Sequence, residues 1–586
     1  MKKIGLSLVL LVACAAGAQA QIGKGGVPES VQLRNDQQYV PVHTAVLPDW
    51  ASFLQKEKAA IAAGTPKPLT LSLSTPTDIS FPASGSITTL DNGRRIWRSQ
   101  LRIDQAPAIG CYYDRFHLPQ GVKYYISNGN GAQILGAFTS ENNTPSGHFA
   151  NEAVQGNLVN LELDIDAGVD LKDIDFHIYR SAVYFRSYEY LNAYEGMHTI
   201  DFIDTALDGS ASVCTINAIC PPGSAYSNQR KATVQILDPF GGACSATMIN
   251  NTGNSPASCK QYLLTASHCQ GENDTVSSAF DEMIVRFNFE RAQCTGGGIP
   301  ESRSMVGLNF VSRSIFDEDA IRGDFLLLEM RQTIPLAWNV TLNGWNRDAN
   351  HALTVAAPKK FIGFHHPSGD VKKVTTSQSI TGSVMLWTTV IDTGYGARGS
   401  SGSGFFDGDG NLIGIASTAA ILNDMPCGVN AHNQQVDYFR RVNYSKLAFD
   451  WDYSVDGPNP KRKLKPWLDP ANTGVVTLNG VKSNCTALEG SGTAIRNDAT
   501  QLSDAISVYP NPSTNGKVTA QINLKEATDL SADIYAITGK KQQHINLGKV
   551  RSGVFTFDLG NYANGMYLIN FSDGAATATR KVMLAR

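Results

Sequence analysis

The sequence predicts a mainly β chain built from several folded parts. Three observations carry that class. Fifty-three glycines accompany many short apolar runs, a texture that favours strands and turns over long helices. Period-two alternation appears in Leu161-Glu162-Leu163-Asp164-Ile165-Asp166 and returns in Gly565-Met566-Tyr567-Leu568-Ile569-Asn570. The length of 586 residues exceeds what one ordinary domain of about 150 residues holds. Charged residues make up only 17% and the net charge is −3, so the basic footprint of a nucleic-acid binder is missing.

The first 20 residues read as an export signal. Lys2 and Lys3 precede an apolar run from Ile4 to Ala13, and Ala18-Gln19-Ala20 supplies a small-residue cleavage site. The run is too short to anchor in a bilayer. Leu11-Val12-Ala13-Cys14 also matches a lipoprotein box; the later site is the better formed. Residues 21–208 then read as a β-rich domain with one cysteine, Cys111, and a Pro/Ser/Thr-rich stretch from Thr65 to Ser84. Its Tyr184–Tyr194 run reads as domain core. A lone thiol is out of place in a mature exported protein, which favours removal of this part.

Eight further cysteines (Cys214, Cys220, Cys244, Cys259, Cys269, Cys294, Cys427 and Cys485) crowd the next stretch, residues 209–485. An even number in an exported chain implies disulfides, whose connectivity spacing alone leaves open. No C-x-x-C pair or Cys/His cluster has zinc spacing, so neither a metal nor another cofactor is expected.

The same stretch holds Gly399-Ser400-Ser401-Gly402-Ser403-Gly404. Glycines on both sides of Ser401 permit a sharp turn and leave room for a substrate carbonyl. A flexible linker would have the same composition, but Ser383–Trp387 and Leu412–Ala416 flank the turn with strand-like sequence. An alcohol nucleophile needs a base within hydrogen-bond reach, and the base needs a carboxylate to fix its tautomer. His268 is the candidate base, in Tyr262-Leu263-Leu264-Thr265-Ala266-Ser267-His268-Cys269, where an apolar strand enters a small-residue turn. His365 and His366 read as structural or substrate-lining. Asp324 opens the apolar strand Phe325–Leu328, poised for burial beside a partner. The order His268, Asp324, Ser401 is that of the chymotrypsin-like arrangement.

On these motifs, residues 209–485 resemble the trypsin-like serine endopeptidases, most closely the bacterial lysyl endopeptidases. TASHC, GDFLLLEM and GSSGS carry the resemblance, with FHHP at 364–367, GW at 344–345 and WLDP at 467–470. The resemblance implies a chymotrypsin-like double β-barrel, and an oxyanion hole from the backbone N–H groups of Gly399 and Ser401. It implies the pairs Cys244–Cys269, Cys220–Cys294 and Cys214–Cys427; Cys259 and Cys485 lie outside that pattern and are the expected fourth pair. It implies a pocket carboxylate at Asp437 that selects a basic residue, lysine ahead of arginine, although the interval from Cys427 is one residue longer than the family's. Ser417 and Thr418 would line the substrate strand, which lacks the family's His-Gly. Ser400 stands where digestive trypsins carry the aspartate that pairs with the freed N-terminus, so that switch is absent. Residues 21–208 are instead expected to act as a propeptide, removed near Asp208-Gly209. Gly209 lies five residues before Cys214, as at the mature start of the lysyl enzymes. No lysine or arginine stands in Thr205-Ala206-Leu207-Asp208, so self-processing there is unsupported.

Residues 486–505 read as a linker, and 506–586 as a small β-sandwich. Its VYPNP, IYAITGK and GMYLINF phrases and basic end resemble the C-terminal sorting domain of type IX secretion in Bacteroidetes. A carbohydrate-binding sandwich is the alternative, but the unit has no tryptophan. Asp407-Gly408-Asp409-Gly410-Asn411 reads as a hairpin turn, because an EF-hand loop would need a glutamate where Thr418 stands. The expected whole is an exported monomeric serine endopeptidase, acting on protein or peptide substrates and engaging the type IX machinery. A glutamyl-type endopeptidase and an inactive adhesin on the same fold are the rivals.

Overall fold

The computed structural model describes residues 23–33, 39–62, 69–186, 209–270, 278–295, 303–317, 322–420, 427–431, 436–453, 457–488, 502, 505–537, 540–573 and 577–586. The expected export signal, Cys14, residues 187–208 with the expected cleavage site and most of the expected linker lie outside them. Two compact units result, Met1–Thr486 and Ala487–Arg586.

Within the first unit, strands from Val42–Thr44 to Asp175–Tyr184 build two sheets, antiparallel except where Val42–Thr44 pairs parallel to Arg95–Arg102. One runs in the order Val42–Thr44, Arg95–Arg102, Leu158–Ile165, Val122–Asn128, Ile134–Phe138; the other, Val154–Gln155, Ala108–His117, Asp175–Tyr184, Ser72–Ser80. Between them lies an aromatic core of Trp97, Tyr113, Phe116, Tyr124 and Phe176. The alternation at Leu161–Asp166 does form a strand, but both its faces are covered. Glu162 and Asp164 accept the backbone N–H groups of Ser30 (2.8 Å) and Glu29 (3.1 Å) from helix α1 (Glu29–Gln32). Cys111 is fully buried, and burial pushes its thiol up to about 12. A thiol so held is inert, which weakens the argument for excision drawn from a lone thiol in an exported protein.

The chain is mainly β as expected, and residues 209–486 form two curled sheets, in keeping with the expected double barrel. The first orders Arg303–Val306, Ile284–Phe287, Thr233–Leu237, β2 (Gly242–Ile249), β3 (Tyr262–Thr265), β4 (Leu326–Met330) and Leu308–Arg313. The second runs through Lys373–Ser377, β5 (Phe361–His365), β6 (Gly404–Phe406), β7 (Leu412–Ala420), β8 (Arg441–Lys446) and Leu386–Val390. Disulfides join Cys214 to Cys427, Cys220 to Cys294, Cys244 to Cys269 and Cys259 to Cys485. The Asp407–Asn411 turn joins β6 to β7, with Asp407 accepting the N–H groups of Asp409 and Asn411.

The segment before residue 209 is not a separate body. Its core runs on into Leu237, Ala243, Ile284 and Val371 of the following part. Strand β1 (Leu69–Thr70) adds antiparallel to the edge of β2, with Thr70 opposite Gly242 and Leu69 opposite Ala243. Buried ion pairs cross the same contact: Arg286 with Glu152 at 2.7 Å and Arg180 with Glu282 at 2.5 Å.

In the second unit the expected sandwich is built from one five-stranded sheet. Strand Lys517–Ala536 pairs through its first half with Ile506–Tyr509 and through its second with Gly565–Ser572. Ile522, Ile534, Phe557, Ile569 and Val582 fill its core.

Candidate active site

Strand β3 ends in a single helical turn, Ser267–Cys269, that presents His268. The Cys244–Cys269 bond ties that turn to β2. Asp324, at the head of β4, is fully buried. Its Oδ2 lies 2.7 Å from His268 Nδ1, and its Oδ1 accepts the backbone N–H of His268 at 3.2 Å. Two contacts 56 residues apart in sequence thus fix both the imidazole tautomer and its backbone. Phe316 packs on the ring with centroids 5.2 Å apart.

Further side chains complete the acid's setting. Ser417, expected on the substrate strand, donates its Oγ–H to Asp324 Oδ2 at 2.6 Å, so this hydroxyl orients the acid. Thr418 accepts a bond from Asn443 Nδ2. Ser445 Oγ accepts the Asp324 N–H at 3.1 Å and donates to Asp450 Oδ2 at 2.8 Å. Burial pushes Asp450 well above the usual carboxylate range, which keeps this second acid neutral behind the first.

The nucleophile turn is pressed against the His268 strand. Gly402 has φ +78°, and a Cβ there would meet Thr265 Oγ1 at 2.0 Å and Ala266 N at 2.9 Å. Only glycine fits. Ser245 N–H donates to the Ser401 carbonyl at 2.9 Å, and Ser245 Oγ to the Gly399 carbonyl at 2.8 Å. The Arg398 carbonyl accepts the Ser368 N–H at 2.7 Å, which turns the N–H of the same peptide, that of Gly399, the opposite way. Among the described residues the N–H groups of Gly399 and Ser401 have no acceptor. Two unspent donors flanking one turn are the arrangement an oxyanion requires. Among the described residues no hydrogen bond joins the Ser401 hydroxyl to the His268 ring.

Ser400, in the position of the trypsin aspartate, accepts the Ala397 N–H at 3.1 Å and lies 2.8 Å from His365 Nδ1. Burial, with Lys373 nearby, pushes His365 down to about 3, so the ring is neutral. The His365-His366 pair is structural: His366 N–H donates to Ser245 Oγ at 2.8 Å, placing β5 beneath the turn.

Asp437 has a partner that the sequence did not indicate. The neighbouring Arg440 donates to the Ile391 carbonyl at 2.8 Å. Asp437 Oδ2 binds Arg398 Nε at 2.5 Å, three residues before Ser401. Arg398 Nη1 also reaches Glu57 Oε1 on α2 (Trp50–Ala62) at 2.8 Å, and Glu57 takes Arg186 through both its oxygens at 2.6–2.7 Å. Leu69 of β1 stands against Gly399, where an added Cβ would lie 3.0 Å from Leu69 Cδ2. Glu57 and Leu69 therefore cover one side of the nucleophile turn.

Residues 208–440 match the family described as lysyl endopeptidase, C-terminal domain, and residues 507–585 match the secretion system C-terminal sorting domain. Among solved structures the chain is similar to a Glu endopeptidase in complex with MPD, at 16% identity and TM-score 0.24, over 41% of this chain and 91% of that one. Kallikrein-related peptidase 10 is 13% identical with TM-score 0.21, over 37% of this chain and 91% of its own. An HtrA-type protease with a decapeptide is 9% identical with TM-score 0.24, over 61% of this chain and 95% of its own. The chain is a serine endopeptidase, and its second unit is a sorting domain that marks it for export.

Proposed function

We propose that this chain is the precursor of a secreted endopeptidase that cleaves after basic residues, lysine ahead of arginine, through Ser401, His268 and Asp324. The observation that carries the reading is the buried His268–Asp324 pair facing a turn whose Gly399 and Ser401 N–H groups are unspent. With Nδ1–H given to Asp324, the lone pair that acts as base is the one on Nε2. His268 Nε2 takes the Ser401 proton as Oγ bonds to the scissile carbonyl carbon. The carbonyl oxygen gains the electron pair and is received by the two N–H groups, worth roughly 3 kcal/mol each. Collapse of that intermediate breaks the C–N bond, and His268 returns the proton to the leaving amine. Water, deprotonated by His268, then releases the acyl group and regenerates Ser401.

Asp437 supports the basic preference because it already holds a guanidinium, that of Arg398. A lysine or arginine side chain would replace that cation, while an apolar side chain would leave the carboxylate unpaired. The same contact supports a second reading. If Arg398 stays in place, the pocket presents a cation and favours an acidic residue, as a glutamyl enzyme would. Residues 21–208 act as a propeptide, with α2 and β1 obstructing the site until cleavage near Asp208-Gly209. The second unit engages the type IX machinery, and its truncation should leave the enzyme in the periplasm.

The test is digestion of a peptide library by the processed enzyme, beside a Ser401→Ala control. Cleavage after Lys and Arg, absent in the control while secretion persists, is the expected result. Cleavage after Glu would select the second reading. Undiminished turnover by Ser401→Ala would remove Ser401 as nucleophile.

A further inference from the structure

Asp370 is a buried carboxylate that the reaction scheme leaves without a role. It closes the single helical turn Pro367–Gly369 and is 1% exposed. Its Oδ1 accepts the Gly209 N–H at 3.1 Å and the Val371 N–H at 2.6 Å, and its Oδ2 accepts the Ala211 N–H at 2.9 Å. Ser210 Oγ donates to the Ser368 carbonyl at 3.1 Å in the same contact. Residues 209–211 are thus seated on this turn while the chain is uncut.

The turn in question shapes the nucleophile loop. Ser368 N–H holds the Arg398 carbonyl at 2.7 Å, the bond that aims the Gly399 N–H. Gly399, at φ +92°, lies so close that an added Cβ would meet the His366 carbonyl at 2.6 Å and Gly369 N at 3.3 Å. A change in how firmly Asp370 is held is therefore transmitted through Ser368 to one of the two oxyanion donors.

We infer that Asp370 receives the new N-terminus, and that this ion pair completes the oxyanion site after maturation. The inference rests on the proposed cleavage at Asp208-Gly209 and on Ser401 as nucleophile. Hydrolysis breaks the C–N bond, with water supplying hydroxyl to the Asp208 carbonyl and a proton to the Gly209 nitrogen. A further solvent proton makes that nitrogen an ammonium. A neutral amide already in contact with a carboxylate becomes a cation on it, and the hydrogen bond becomes charge-assisted. Trypsins place the receiving carboxylate just before the nucleophile, where this chain has Ser400. Here the carboxylate sits on the neighbouring turn. Among the described residues the other charged or titratable groups facing it are Lys373, whose Nζ is 3.5 Å from Oδ1, and His366, whose Nδ1 meets the Asp370 carbonyl at 3.0 Å. Burial lowers His366 well below its ordinary value and keeps it neutral, while Lys372 is turned to the Arg230 carbonyl and Glu290. Both lysines are present in every processed form, so an alkaline limb found only when the chain begins at Gly209 reports the α-amine.

The test uses the full chain with residues 205–208 replaced by a recognition sequence for a site-specific protease. One form is cut to begin at Gly209, another to begin with two alanines ahead of it. The extended product should turn over a lysyl amide about tenfold or more slowly with KM little changed, the signature of a lost transition-state contact. The Gly209 product should lose kcat as pH rises through the α-amino range, above about 8, and the extended product should lack that limb. Asp370→Asn in the Gly209 form should lower kcat and flatten the same limb; should that variant misfold, the extension leaves Asp370 intact and still decides. Equal turnover and equal pH profiles for the two products would overturn the inference, even with Ser401 labelled by an organophosphate. Failure of the Gly209 product to label would instead overturn the proposed function, and this inference with it.

Discussion

Replacing Glu57 with glutamine tests how the site is closed in the uncut chain. Glu57 is a mostly buried carboxylate, 7% exposed in its side chain, that binds both oxygens to Arg186 and one to Arg398. Breaking a buried pair by removing one member costs about 3–5 kcal/mol. Here the loss is smaller, because Arg398 keeps Asp437 and Arg186 keeps the Thr70 carbonyl at 2.6 Å. About 2–3 kcal/mol remains, which by mass action raises the population with α2 and β1 lifted away roughly 30–150-fold. The assay is hydrolysis of a lysyl amide by chain whose 208–209 bond is shown intact by gel and N-terminal sequencing. The intact variant should hydrolyse it at least about tenfold faster than intact wild type. A change below about twofold in a variant that melts normally would refute the reasoning, since it would mean that α2 and β1 do not obstruct the site.

Two further predictions follow from groups whose charge the fold controls. His148 lies 2.9 Å from Glu282 across the contact between the two parts of the first unit, and that bond raises its pKa above 6.5. The stabilisation it adds is fully present below the free value and is lost as pH rises through the raised one. After cleavage, residues 21–208 should therefore dissociate faster at pH 8 than at pH 6, and His148→Gln should remove the step, as size-exclusion chromatography would show. Asp450, kept neutral by burial, should tolerate Asn: activity at pH 7 stays within about twofold. Its raised pKa means that stability is lost as pH rises through that value. Thermal melts should accordingly show Asp450→Asn resisting alkaline pH better than wild type.

Motifs made from neighbouring residues were legible because their geometry is local. Gly402 is required where the nucleophile turn meets Thr265, and the strand Tyr262–Thr265 delivers His268 into a turn clipped by Cys269. Asp324 was legible as a lone acid opening an apolar strand. The contact of Ser417 with Asp324 was not legible, because it depends on where β7 passes the head of β4. Ser445 and Asp450 left no signal, because serine and aspartate near a strand end are ordinary in sequence and become special only once buried together. Cys111 shows the reverse. A lone cysteine looked out of place in an exported protein, and its burial in the core makes it inert.

By itself the sequence determined the β-rich class, the order of base, acid and nucleophile, and the sorting unit, because strand period, turn chemistry and short motifs are written by adjacent residues. Only tertiary structure decided the partners of the charges. Arg398 meets Asp437 across 39 residues, and Gly209 meets Asp370 across 161. The physical reason is that a charge's consequence depends on what lies within a few ångströms and on how much water is excluded, and both are set by strands that fold together from distant parts of the chain.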